Sequence, residues 1–354
     1  MLLELLSQYA RAQQEPNWDW SAWHVAAQAE GLQGILANRC ACAEARQSIK
    51  IQFAQQAIFH GELPRIDADL AREGLQAILL KGHALLPYYG GHLLLRGVRD
   101  LDLLVQRGQL QAARRALGLT GLQSRQVPND YRIDVDLAED LVGAERIRAR
   151  ARAYDFRQEQ VWARSRPLGP QYRALRTLDP SYLFLHLAVH ALKHGYSRLI
   201  WLLDLVLVLP RVDSLELLQA AQETRSGRPA AIAAELVHRV SGFDSPLRRR
   251  PSGLNCWERA SLQPILERSF PAEAGELLSL FSIPGAWARL AFLLEFVFLR
   301  PEVVKRQYQR PLLQAYRARL GHILSLLTRS SIDFARHSRL QPKAHKPRIH
   351  SGQS

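Results

Sequence analysis

The sequence predicts an α+β fold, a small mixed β-sheet core embedded between helical N-terminal and C-terminal regions. Three observations carry this. Apolar positions such as Leu2, Leu5, Leu6 and Tyr9 recur at helical spacing through the first 70 residues. Short apolar or alternating runs broken at glycine follow between about 71 and 145. Long apolar segments return after Asp179-Pro180, a pair suited to the cap and first turn of a helix.

Taken in order, residues 1–70 read as the N-terminal helical region, with helices around 21–38 and 43–60 and breaks at Pro16 and Pro64. Residues 71–145 read as the core. It opens with a strand over 77–80, a glycine turn at Lys81-Gly82 and a helix starting near His83. A strand over 100–105, a helix over 109–117 and a strand over 131–137 complete it, with helices packed on one side of the sheet. Residues 146–178 are arginine-rich and broken by Pro167, Gly169 and Pro170, which predicts a connecting segment. Residues 179–333 read as a C-terminal helical domain. The tail 334–354 lacks acidic residues and carries Lys343, Lys346 and Arg348 among prolines and histidines, which predicts a disordered basic tail.

Composition limits the function. A chain of 354 residues with 47% hydrophobic and 23% charged residues can bury a sizeable core. The net charge of +14 favours polyanions, nucleotides and nucleic acid among them. Cys40, Cys42 and Cys256 make neither an even disulfide set nor a zinc array, so reduced thiols in a cytoplasmic protein are the simplest account. The N-terminus carries Glu4 within its apolar run and no basic leader, which reads as an amphipathic helix. Asp204 interrupts the apolar run 199–209, and Arg289 with Glu295 interrupts 286–299, so no membrane span is expected.

The chemistry concentrates at Asp100 and Asp102. Alternation on a strand points both to one face and sends Leu101, Leu103 and Val105 to the other. Two like charges side by side call for a cation, and a hard divalent ion such as Mg²⁺ suits carboxylate oxygens and phosphate chemistry. Gly82 lets the backbone approach an anion, Lys81 adds a mobile charge, and Arg96 and Arg99 precede the aspartates. A two-ion site wants a third carboxylate. Asp134 and Asp136 share a face of the later strand, with Asp136 favoured and Asp134 in reserve. His186, His190 and His194, four residues apart, share one helix face, but no glutamate follows the first as a zinc protease would need.

This set of residues resembles the uncharacterised nucleotidyltransferases within the DNA polymerase β-like superfamily. The matching positions are Leu80-Lys81-Gly82, Arg96, the Asp100 and Asp102 pair running into Leu103-Leu104-Val105, and Asp136-Leu137. The stretch 185–209 is similar to the family's histidine-rich helix and its Trp-Leu-x-Asp-Leu helix. Three positions depart from the pattern: Lys81-Gly82 stands for glycine-serine, Arg99 for serine, and Ala138 for histidine.

The resemblance implies a transferase moving a nucleoside monophosphate from a triphosphate, ATP among the candidates, to an acceptor hydroxyl with release of pyrophosphate. Two Mg²⁺ ions would be held by Asp100, Asp102 and Asp136. Lys81, Gly82, Arg96 and Arg99 would bind the nucleotide, and the resemblance, not the spacing, adds His190 and Asp204 to the cleft. The acceptor, whether small molecule, peptide, protein or RNA end, is not specified. The alternative is a non-catalytic nucleotide- or nucleic-acid-binding protein on the same fold.

Overall fold

A computed structural model describes residues 19–92, 94–119, 124–127, 132–144, 147–249, 253–272 and 274–321, with isolated positions 3, 4, 6, 323 and 325. Most of the expected N-terminal amphipathic helix, the break at Pro16 and the basic tail 334–354 lie outside the described residues.

The N-terminal region contains α1 (Trp20–Glu30) and α2 (Gln33–Ala37). The single helix expected over 21–38 is divided at Gly31, whose φ of 76° ends α1 in a left-handed cap. Next, α3 (Ala43–Arg72) runs straight through Pro64, where a break was expected. Proline removes a helical hydrogen bond at a cost of about 3 kcal/mol, and tertiary contacts offset it here. Leu63, Ile66 and Leu70 are buried beneath the sheet. Asp67 accepts backbone N–H bonds from Arg173, Ala174 and Leu175 at 3.0, 2.7 and 2.7 Å.

Among the described residues one sheet of six strands follows, in the order Ser124–Gln126, Arg132–Ala138, Asp100–Val105, Ala77–Leu79, Leu175–Leu178, Ser165–Pro167. Strands β1 (Ala77–Leu79) and β2 (Asp100–Val105) pair antiparallel, and β4 (Arg132–Ala138) lies parallel to β2. The edge strand β3 (Ser124–Gln126) pairs antiparallel with β4. Between β1 and β2 the chain forms a 3₁₀ helix (Gly82–Tyr89) where an α-helix was expected. Pro87 disfavours the α conformation at the residue before it and supplies no N–H, which suits the tighter turn. Helix α4 (Leu110–Ala116) crosses from β2 to β3.

The sheet does not stop where the connecting segment was expected. After α5 (Arg150–Ala153) and α6 (Gln158–Ala163), the chain adds β5 (Ser165–Pro167) and β6 (Leu175–Leu178), with β6 parallel to β1. Helices also cover both faces instead of one. Leu101, Leu103, Val105, Ile133, Val135 and Leu137 pack towards α3 and α4 in one apolar cluster. On the other face Ile78, Leu104 and Leu178 join a second cluster built from α7 (Pro180–Lys193), α8 (Leu199–Val208), α9 (Ser214–Glu223) and α10 (Gly227–Ser241). Asp179 caps α7 through a 2.8 Å bond from the Tyr182 N–H, and Pro180 occupies its first turn. Helices α11 (Cys256–Leu266), α12 (Ala274–Leu278), α13 (Ala286–Val297) and α14 (Pro301–Tyr308) lie in the C-terminal part, and residues 312–321 are helical too.

Candidate active site

The period of two along β2 and β4 decides what each face carries. The leucines and valines that bury against α3 oblige Asp100 and Asp102 on β2, and Asp134 and Asp136 on β4, to emerge from the opposite face. Parallel pairing then aligns them: Asp100 is the register partner of Asp134, and Asp102 of Asp136. The helices α7 and α8 cover the neighbouring part of this face, so the aspartates stand at the seam where sheet and helices meet.

A cavity of about 420 Å³ occupies that seam. Lys81, Gly82, Arg96, Arg99, Asp100, Asp102, Asp136 and His190 all line it, so eight of the nine expected site residues converge. Asp134 does not line it and accepts a 3.1 Å bond from the Ser124 hydroxyl, which favours Asp136 as the inward carboxylate. Asp204, the ninth, is fully buried behind the cavity wall. There it accepts two bonds from Arg96, at 2.9 and 3.0 Å, and one from the Tyr89 hydroxyl at 2.7 Å. Asp204 holds Arg96, and the Arg96 guanidinium, which also donates to the Gly97 carbonyl at 2.7 Å, is committed to protein partners.

The charge balance is set within the cavity. Lys81 Nζ lies 2.7 Å from Asp102 Oδ1, so the ammonium supplies the counter-charge for a side chain that is 11% exposed. Enclosure pushes the Asp100 carboxyl up from its ordinary value, Asp102 adds repulsion, and Lys81 and Arg96 oppose the rise. Gly82 turns the chain with φ 56°, and a Cβ there would meet the Val98 methyls at 3.0 and 3.1 Å.

Sequence reasoning passed over several lining residues. Arg198, Lys193, Asp140 and Trp201 also face the cavity. Their loop and helix positions carry no periodic signal. His186 and His194 share the helix face of His190, as their four-residue spacing predicts, and all three line the cavity. His190 lies between its neighbours, with ring centroids 4.8 Å from His194 and 5.1 Å from Trp201. Burial first, and the charge of Lys81 second, push His186 down to about 3 and hold His190 well below its ordinary value. Both are neutral imidazoles at physiological pH.

The donor set of Asp100, Asp102 and Asp136 is all oxygen and fits a hard cation in chemistry and in strand register. Among the described residues, no group of three or more such side chains is drawn together as a metal cluster. Lys81 takes the position of positive charge against Asp102.

A carboxylate face beside a lysine-glycine turn, inside an α+β fold, defines a class of site suited to phosphate-bearing ligands. The chain belongs to the uncharacterised nucleotidyltransferase family, whose model matches residues 16–242. That span contains every residue lining the cavity. Membership implies a transferase and a nucleotide substrate. No curated protein and no solved structure matches the chain. Among the described residues no helix is long and apolar enough to cross a membrane.

Proposed function

We propose that this protein is a Mg²⁺-dependent nucleotidyltransferase that moves a nucleoside monophosphate from a triphosphate to an acceptor hydroxyl and releases pyrophosphate. The observation that carries this reading is the parallel register of Asp102 with Asp136, facing a cavity that also holds Lys81 and Gly82. Asp100 and Asp102 would hold two ions, with Asp136 completing the inner position. When bound, Mg²⁺ offsets the triphosphate charge and lowers the pKa of the acceptor hydroxyl.

The chain's own groups supply the rest. Lys81, once exchanged from Asp102 to the triphosphate, neutralises charge that develops on pyrophosphate. The Gly82 turn lets the backbone approach the phosphates closely. Asp136 accepts the hydroxyl proton as the acceptor oxygen bonds to the α-phosphorus. The bond to the bridging oxygen breaks, and pyrophosphate leaves with its electron pair. The neutral imidazole of His190 and the ring of Trp201, set edge to face at 85°, offer ring surface against which the nucleobase would pack.

A second reading is a nucleotide-binding protein without catalysis, favoured by the Lys81–Asp102 ion pair. One experiment separates them. The protein is incubated in a lysate with each α-labelled triphosphate and Mg²⁺. Transfer of label, lost in Asp100→Asn and Asp102→Asn, supports the enzyme; nucleotide binding without transfer or pyrophosphate release supports the alternative.

A further inference from the structure

A second cavity of about 530 Å³ adjoins the first and shares Gly97, Val98, Arg99 and Arg198 with it. Its other walls come from α1, α3 and β4, including Gln28, Gln55, Phe59 and Arg132. Three guanidinium groups, those of Arg99, Arg132 and Arg198, line it, and among the described residues no carboxylate does.

The cavity is built, not incidental. Gln56 binds Val98 in both directions, its amide donating to the carbonyl and its oxygen accepting from the N–H, each at 3.0 Å. Gln52 donates to the Leu94 carbonyl at 2.6 Å. These bonds from α3 fix the segment that separates the two cavities and so fix where Arg99 stands. The other two arginines meet neutral groups. Arg132 donates to the Gln126 side chain at 3.2 Å, and Arg198 lies 5.9 Å over the Trp201 ring. Burial, then the nearby Arg99 and Arg96 charges, push Arg198 down from its ordinary value, with Asp100 and Asp204 opposing. A concentration of like charge in a concave polar wall is relieved by an anion.

We propose that this cavity is the acceptor subsite and takes a small phosphorylated hydroxyl compound, its phosphate met by Arg99, Arg132 and Arg198. A phosphate monoester carries about −1.5 to −2 charges at neutral pH, more than a carboxylate, and its oxygens match the planar guanidinium fork. The exposed amides of Gln28 and Gln55 stand at the same wall to bind further hydroxyls. The shared segment Gly97-Val98-Arg99 leads directly to Asp100, where the transfer would occur. The role as acceptor subsite rests on the nucleotidyl-transfer reading; the phosphate pocket does not.

Arg132 lines only this cavity, so its substitution separates the two sites. Calorimetric titration of the full chain with inorganic phosphate, ribose 5-phosphate, ribose and Mg²⁺-ATP gives the test. Arg132→Gln is expected to weaken both phosphate probes about tenfold or more, the scale of one charge-assisted contact. It should leave Mg²⁺-ATP affinity and the melting temperature unchanged, and Arg132→Lys should keep part of the phosphate affinity. Saturating Mg²⁺-ATP should not displace the Arg132-dependent phosphate. Unchanged phosphate affinity in Arg132→Gln, displacement by Mg²⁺-ATP, or ribose binding as tightly as its phosphate would overturn the pocket. An Arg132-dependent preference for a 5′-phosphorylated oligonucleotide over ribose 5-phosphate would overturn the small-molecule assignment. If phosphate binds as expected while Mg²⁺-ATP does not bind at all, the pocket stands and the transfer reading fails.

Discussion

Arg96 grips both carboxylate oxygens of Asp204, Nε to Oδ1 at 2.9 Å and Nη2 to Oδ2 at 3.0 Å, across more than a hundred residues of chain. The pair ties the segment that leads into β2 to helix α8, and so sets one wall of the cavity. Both side chains are almost completely buried. Removing one partner leaves an uncompensated charge, which costs about 3–5 kcal/mol for buried pairs. Asp204→Ala should therefore lower stability by that order in urea unfolding, and Arg96→Met with Asp204→Leu should recover part of the loss. A full-strength fold with abolished nucleotide binding in Asp204→Ala would instead make Asp204 a ligand-contacting residue.

Asp136 and Asp134 occupy the same face of β4 but differ in what they meet. Asp136 is the register partner of Asp102 and lines the cavity, whereas Asp134 receives the Ser124 hydroxyl. Asp136→Asn should reduce Mg²⁺-dependent triphosphate turnover by at least about a hundredfold, the scale of losing a positioned acid–base group. Asp134→Asn should stay within a few-fold of the parent. Steady-state pyrophosphate release measures both, and equal losses would remove the distinction.

How much of this was legible in the sequence depends on the range of the interaction. The aspartate pairs, and the leucines behind them, were readable because a period of two is local. Gly82 was readable because a positive φ is a property of one residue. Asp204 was not, since its role depends on α8 packing against the segment before β2. Strands β5 and β6 were hidden for the same reason: three or four residues beside Pro167 and Gly169 become strands only when β1 pairs with β6 and β6 with β5. Pro64 signalled a break that buried leucines on either side of it override.

Gly82 offers a test of the turn itself. At φ 56° an L-residue incurs about 1–2 kcal/mol of left-handed strain. The added Cβ would also press on the Val98 methyls at 3.0 and 3.1 Å. Gly82→Ala should lower stability by about 1–3 kcal/mol in chemical denaturation, strain and crowding together. It should also raise the KM for triphosphate by displacing the backbone at Lys81. Unchanged KM with reduced stability would confine Gly82 to a conformational role.

The pH dependence of folding should report the neutral histidine at the cavity. His186 is pushed from 6.5 to about 3, by burial first and then by the charges of Lys81 and Lys193. Between those values the unfolded chain binds a proton that the folded chain refuses. Stability from this group is therefore full above 6.5 and is lost as pH falls towards 3, by up to about 1.4 kcal/mol per pH unit. His83, pushed to about 4, and His190 act in the same direction. Replacing one group should thus flatten the acid limb without abolishing it. His186→Leu should be less sensitive than the parent when urea midpoints are compared at pH 7.5 and pH 5. Parallel curves for the two proteins would mean that the imidazole reaches solvent or is protonated in the folded state.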